Sequence, residues 1–423
     1  MYAMCLTAAL VTSALAGCGA DEAQDVDAAA DAAQEPAEET EKQADNGDVT
    51  LRVWAGEEDK DLIATIADNF IAEHASEANI TIEWEPMVEG ECRSNLLGDV
   101  LNGPDVYTTT DGDIRTIAAG GAASEVRNPD EIRKNNLDSA VEALTINDKI
   151  YGYPITADNG YFLYYNKAYF SEEDIQDLDT ILDIAAKNDK VFAMDWSSGW
   201  YLYSFFGQTG LSVGLNDDGV TNFCDWNNTK RDIKGTDVAE ALLKIAANPG
   251  FKSTGDWIEG IKKGDVIACV SGVWDESAIK EAWGKNYGAA KLPCYTVAGK
   301  KVQMACYFGY KMIGVNPYSE HLEWAHQFAD YIANEKNQEL RFEMRGQGPS
   351  NLKAAETPEI QQAVAIQAVL AQSEYSELQR LGSNFWDAST ALGNTLAAGN
   401  PEHIDLQELL DTAVAGITSS TVQ

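Results

Sequence analysis

The chain is 423 residues long, 45% hydrophobic, and carries a formal net charge of −38 at pH 7. Its length exceeds what one hydrophobic core ordinarily supports, so two lobes are expected, and its apolar content with only 11 prolines excludes a wholly disordered chain. So acidic a molecule repels nucleic acid and anionic lipid through its general field, while a neutral ligand is indifferent to it.

Residues 6–16 are apolar or small, too few to span a bilayer as a stable helix, and lead to Leu15-Ala16-Gly17-Cys18. That tetrapeptide resembles the lipobox of bacterial lipoproteins. It implies a signal peptide over residues 1–17, cleavage before Cys18 and lipidation of the Cys18 sulfur, although residues 1–16 contain no Lys or Arg. Residues 18–48 are then a tether: from Gly19 onward they hold no aromatic residue and no β-branched cluster, a composition that cannot offset its ordering entropy.

Leu51 and Val53 alternate with Thr50 and Arg52 as in a half-buried strand. Leu62, Ile63, Ile66 and Phe70 then fall on one helical face, and Ile80, Ile82 and Trp84 return to period two. With Val106-Tyr107-Thr108 as a third strand, this β-α-β opening predicts a mostly parallel sheet flanked by helices. Ligands of such sheets gather at the carboxyl ends of strands, here residues 56–59 and 109–113.

Residues 149–167 form the transition to a second lobe. Tyr151, Tyr153 and Ile155 alternate as a strand, which Pro154 confines to a sheet edge or a crossing connector. Asp158-Asn159-Gly160 is turn chemistry, and Tyr161-Phe162-Leu163-Tyr164-Tyr165 opens the next strand. Beyond it, residues 171–187 read as a helix introduced by a Ser171-Glu172-Glu173-Asp174 capping box. Residues 191–194 and 266–270 read as strands, and Trp196 and Trp200 flank a strand-to-helix junction. Residues 310–315 return as a strand of the first lobe, 322–333 as an amphipathic helix, and 346–351 as a turn-rich break before closing helices.

Apart from Cys5 and Cys18, five cysteines remain, with no spacing suited to a metal. Cys294 and Cys306 each lie six positions from Lys300, on the arms of a hairpin expected to turn at Ala298-Gly299-Lys300. In that register they face each other at a disulfide-compatible separation. Cys224 to Cys269 is a second expected pair, leaving Cys92 as a buried free thiol.

These residues together resemble the extracellular solute-binding proteins of carbohydrate ABC transporters, most closely the maltose/maltodextrin-binding type. The likeness runs from about Leu51 to the C-terminus. It is carried by Gly103-Pro104-Asp105-Val106, Tyr151-Gly152-Tyr153-Pro154-Ile155, Tyr164-Tyr165-Asn166-Lys167, Ser271-Gly272-Val273-Trp274, Gly288-Ala289-Ala290-Lys291-Leu292-Pro293 and Asn384-Phe385-Trp386. The resemblance implies an α/β, two-lobe fold of the type II periplasmic-binding-protein kind, with three hinge crossings and a ligand cleft between the lobes. Residues 49–156 and 312–356 would make one lobe, 157–311 and 357–423 the other. Carried over by position, it places Trp274 and Trp386 where pyranose rings stack, with Trp196, Ser198 and Trp200 as further contacts. Asp158 stands where a hinge carboxylate bonds sugar hydroxyls, and Glu57, Glu58, Asp59, Thr109, Asp111 and Asp113 would supply first-lobe contacts. The maltodextrin pattern has a Lys in the first of these loops and a Trp and an Arg in the second, and this chain departs from both.

The resemblance further implies a monomer without cofactor or metal, attached through Cys18 at the extracellular face of the bacterial cytoplasmic membrane. Its partners would be an oligosaccharide, maltodextrin-like, and the permease subunits of an importer. Two other readings compete: a glycoside-processing enzyme, since acidic residues number 68 and sugar sites look alike, and a binding protein for a non-glucan solute. Gly210-Leu211-Ser212-Val213-Gly214 matches a nucleophile elbow but is followed by Leu215-Asn216-Asp217-Asp218-Gly219, where that motif needs a helix.

Overall fold

Alternation of apolar and polar side chains makes the first strand, β1 (Asp48–Ala55), whose Val49, Leu51, Val53 and Ala55 are all buried. The computed structural model describes residues 47–420 apart from Asp217 and Gly219, so the leader, Cys18 and the tether as far as residue 46 lie outside the described residues. Helix α1 (Lys60–Glu73) lays Leu62, Ile63, Ile66 and Phe70 against the sheet. Strand β2 (Asn79–Pro86) then pairs in parallel with β1, with Leu51 opposite Ile82. After α2 (Glu89–Gly98), β3 (Val106–Thr110) joins the other side of β1, also in parallel, and α3 (Asp111–Ala119) starts where β3 stops.

The chain leaves this lobe through β4 (Tyr153–Thr156), an edge strand as Pro154 requires. The second lobe contains β5 (Phe162–Asn166), β6 (Val191–Met194), the single turn α4 (Gly199–Leu202), β7 (Phe251–Ser253), β8 (Val266–Ser271) and β9 (Tyr287–Ala290). Strand β10 (Lys311–Val315) returns to the first sheet, so the two five-stranded sheets have orders β2-β1-β3-β10-β4 and β7-β6-β8-β5-β9. Helices α5 (Leu322–Ala333) and α6 (Glu335–Arg345) precede a third crossing. Helices α7 (Val364–Ser373), α8 (Asn384–Ala397) and α9 (Leu406–Ile417) close the second lobe. Each sheet has its own apolar core, one around Leu51, Val106 and Phe328, the other around Tyr164, Val270 and Phe385.

Both sheets are mixed rather than mostly parallel. Strand β10 runs antiparallel to β3 and β4, and β5 antiparallel to β8 and β9. The cause is the point of entry: β-α-β strands end at the interlobe boundary, whereas β5 and β10 begin there, having just crossed. Strand β10 starts at Lys311, one residue into the 310–315 stretch expected as the returning strand.

Two local expectations are corrected. Ser171 and Asp174 do bond each other, Ser171 N to Asp174 Oδ2 at 2.8 Å and Asp174 N to Ser171 Oγ at 3.3 Å, but they close a turn, and the helix begins only at Leu178. The expected disulfides are absent: Cys92, Cys224, Cys269, Cys294 and Cys306 are all free. The hairpin turns on Ala298 and Gly299 alone, at φ 48° and 71°, so Val297 pairs with Lys300 and Cys294 with Gln303. Cys306 lies beyond the ladder, in a short strand (Cys306–Phe308) that pairs with Ser376–Leu378. Thiol titration of the denatured protein without reductant is expected to count all five of these cysteines, with half-buried Cys224 and Cys294 reacting first in the native state. A count that rises by two on adding reductant would restore a disulfide.

Candidate binding cleft between the two sheets

The carboxyl ends of the parallel strands converge on a cavity of about 330 Å³ between the lobes. From the first lobe it is lined by Glu58, in the turn after β1, by Glu89 at the start of α2, and by Lys311 at the start of β10. Asn159 comes from the first crossing, Trp200 and Tyr201 from α4, Trp274 from the turn after β8, and Gln379 from the segment after Ser376–Leu378. A larger groove of about 690 Å³ runs between α8 and α9, but small side chains such as Ala388, Ala391 and Ala413 line much of it and no aromatic residue does.

The indole wall is held from behind. Asp275 Oδ2 accepts from Trp257 Nε1 at 2.7 Å and from Ser271 Oγ at 2.6 Å, and Tyr164 Oη donates to the Gly272 carbonyl at 3.0 Å. A Cβ on Gly272 would collide with the Trp274 ring, so only glycine lets the indole lie over its own turn. The Trp200 carbonyl accepts from Tyr161 Oη at 2.6 Å, and its ring sits 5.5 Å from that of Tyr161 and 5.6 Å from that of Tyr307. Both cleft indoles are half-buried, leaving part of each ring for a ligand.

The floor is ionic. Lys311, only 5% exposed, places Nζ 2.7 Å from Glu89 Oε2. Burial works against its charge, yet Glu89, with Asp59 and Asp158 farther off, outweighs burial and leaves the amine more basic than usual. Behind it, Asp59 accepts from Arg341 Nη1 at 2.7 Å and from Arg345 Nε at 2.9 Å. Burial opposes its ionisation, but the two guanidiniums together with Lys311 win and hold the carboxyl at about 2.

Of the residues expected from sequence, the structure brings Glu58, Trp200 and Trp274 together on the cavity. Others stand elsewhere. Trp196 is fully buried, 4.4 Å from Phe251 and 5.4 Å from Phe205 between ring centroids, and is a core residue rather than a ligand contact. Asp59 is committed to its arginines, and Asp113 to Arg93 at 2.6 Å. Glu57 is exposed and 3.9 Å from Lys60. Asp158, 1% exposed, is a hinge bond: its Oδ2 accepts from the Gly348 amide of the third crossing. Thr109 is buried within β3, and Ser198 precedes α4, its carbonyl accepting from Tyr201 N and Leu202 N. Trp386 is half-buried on α8 against Phe385, and Asp111 is 1% exposed at the head of α3; neither lines the cavity.

Sequence reasoning missed Glu89, Asn159, Tyr201, Lys311 and Gln379 as lining residues. Lys311 had a signal, being a lysine at the head of the otherwise apolar Lys-Met-Ile-Gly-Val, all of it buried. Gln379 had none.

Two lobes, three crossings and one cleft between them define a hinge-type ligand-binding protein. Residues 65–368 match the family described as bacterial extracellular solute-binding protein, and the chain belongs to that family. It is a solute-binding protein rather than an enzyme. The chain is 26% identical over 393 residues to a galactooligosaccharide-binding protein of Bacillus subtilis strain 168, covering 89% of this chain and 91% of that one. It is 24% identical over 341 residues to a maltooligosaccharide ABC transporter solute-binding lipoprotein of Streptococcus pneumoniae R6, covering 74% and 76%. Among solved structures, one determined with acarbose aligns at a TM-score of 0.79 and 24% identity over 87% of this chain and 98% of that one.

Burial pushes the Asp158 carboxyl up to about 6, against the pull of the Gly348 amide and Lys311. A carboxyl raised by folding stabilises most below its ordinary pKa of about 4, and that contribution is lost as pH rises through about 6. Asp158→Asn is therefore expected to gain stability relative to the parent between pH 4 and pH 7, by about 2 to 3 kcal/mol, in thermal or urea unfolding at each pH. A pH-independent difference would exclude a raised carboxyl at this position.

Proposed function

We propose that the protein captures a neutral oligosaccharide, with a maltodextrin-like glucan as the leading ligand, closes on it by hinge motion, and delivers it as a monomer to the permease subunits of an ABC importer. The observation that carries this reading is the meeting in one interlobe cavity of two half-exposed indoles, Trp200 and Trp274, with Glu58, Asn159 and Gln379. A pyranose face is a patch of C–H groups that packs on an indole, while its rim of hydroxyls donates to carboxylates and exchanges hydrogen bonds with amides. The names of the relatives, one galactooligosaccharide-binding and one maltooligosaccharide-binding, support an oligosaccharide and leave its linkage to experiment. Closure would sequester the sugar and couple occupancy to the shape a permease recognises.

Calorimetry and tryptophan fluorescence over a panel of maltooligosaccharides and galactooligosaccharides, with product analysis, test the reading. Saturable binding with intact sugar is expected, and Trp274→Ala and Trp200→Ala should each weaken it at least about tenfold while leaving unfolding cooperative. Unchanged affinity in both variants would remove the stacking arrangement, and shortened sugar would overturn capture and delivery of the intact ligand.

Attachment belongs to the same reading: the Cys18 lipobox, the signal peptide over 1–17 and the acidic tether over 18–48 support a lipid anchor at the extracellular face of the bacterial cytoplasmic membrane, as does the lipoprotein named among the relatives. Cys18→Ser expressed in a bacterial host is expected to release the protein from the membrane fraction into the soluble one, and retention in the membrane would contradict the anchor.

A further inference from the structure

Next to Gln379 of the cavity, two buried atoms of opposite charge lack partners among the described residues. Asp111 heads α3 on the first lobe; its Oδ1 accepts from the Tyr310 amide at 2.9 Å, and its Oδ2 is buried with no hydrogen bond. Arg380 follows Ser376–Leu378 on the second lobe, and its Nη1 is likewise buried and unpaired. Orphans of this kind cost free energy in an isolated lobe and call for a state in which they are satisfied. Burial pushes the Asp111 carboxyl up to about 6, with Arg380 and Arg115 pulling against it; burial and then Arg380 lower the Arg115 guanidinium, which lies on α3 four residues after Asp111, against the pull of that carboxylate. The lobes already touch at this point, where the Gln379 amide nitrogen is 3.2 Å from the position a Cβ on Gly112 would take.

We infer that Asp111 and Arg380 are positioning residues that latch the two lobes together as the cleft closes, Asp111 standing as the anion between the guanidiniums of Arg115 and Arg380. The inference rests on the reading of the cleft as a closing binding site, but its geometry needs no particular sugar. Asp111 is tied to the second crossing twice, through Tyr310 N to its Oδ1 and through its own N to the Tyr310 carbonyl at 3.0 Å. A pull on its free oxygen is therefore transmitted to the hinge. Without the anion, Arg115 and Arg380 oppose each other across the cleft, so the residue that draws the lobes together also masks what would push them apart.

This gives a prediction whose sign a merely structural role does not share. Asp111→Asn should enlarge the radius of gyration of the sugar-free protein in small-angle scattering and weaken binding of whichever of maltotriose or a galactotriose the parent binds, by about tenfold. Adding Arg380→Gln to it should recover most of both losses, because the unmasked repulsion is removed; Arg380→Gln alone should cost less than Asp111→Asn alone. A double variant as weak as or weaker than Asp111→Asn would overturn the latch, and so would an Asp111→Asn protein with unchanged affinity and radius. Should Asp111→Asn fail to fold, the cycle moves to exposed Arg115. Arg115→Gln is then expected to compact the parent protein and not to compact Arg380→Gln, and equal effects in both backgrounds would reject the proposal. If the parent binds neither sugar, the ligand assignment fails, while the scattering cycle still decides the latch.

Discussion

Everything in the molecule hangs on a buried ionic knot where the three crossings meet. Asp59 and Arg341, 3% and 1% exposed, join the turn after β1 to the helix that leads into the third crossing, and Arg341 Nη1 also holds Gln347 at 2.8 Å. Lys311 fixes the start of β10 to α2 through Glu89, and Asp158 ties the first crossing to the third through the Gly348 amide. Apolar packing could not do this work alone, because it is indifferent to direction and a hinge must keep its strands in register while the angle changes. Ion pairs in low dielectric are directional and costly to break singly, so the knot holds the crossings in place between two separately cored lobes.

From that knot the cleft walls take different characters. The second lobe presents rings: Trp200 and Trp274, backed by Tyr161, Tyr164 and the Asp275 bonds to Trp257 and Ser271. The first lobe presents charge at strand and helix ends, with Glu58, Glu89 and Lys311. Stacking surfaces gain most when they are rigid before the ligand arrives, since an immobile ring loses no rotamer freedom on contact. Polar groups gain most when they arrive last, as water leaves. On the proposed reading, this asymmetry would give first contact to the indoles and completion to the acids.

How much of this was legible in sequence depended on whether the signal was local. Strand β1, helix α1 and the edge placement of Pro154 follow from periodicity and from a missing amide, which are properties of a few consecutive residues. Trp196 and Trp200 share one junction and look alike in sequence, yet one is sealed against Phe251 and the other faces the cavity, because which side of a turn points inward is settled by the sheet above it. The cysteine pairing failed by a shift in the hairpin turn: with Ala298 and Gly299 making a two-residue loop, Cys294 meets Gln303, and Cys306 falls outside the ladder. Lys311 heads an apolar strand and is marked by that contrast, whereas Glu89 and Gln379 reach the cleft only because distant segments meet there, which no local pattern encodes.

The ionic floor also bears on what the cleft can enclose. An unpaired charge buried by a closing lobe would cost several kcal/mol, whereas Lys311 and Glu89 neutralise each other before any ligand enters. Of the remaining lining residues only Glu58 carries a charge, and it is exposed. A ligand bearing a carboxylate or sulfate would meet Glu58 and the strongly negative chain around it with no free cation in the lining to answer, since Lys311 is already committed. On the proposed reading, a neutral ligand rich in hydroxyls would meet no such barrier: it would donate to Glu58, exchange bonds with Asn159 and Gln379, and leave the pair beneath it undisturbed. The proposed preference for a neutral sugar would thus share its origin with the ion pair that holds β10, because that charge is spent within the protein and is not available to a guest.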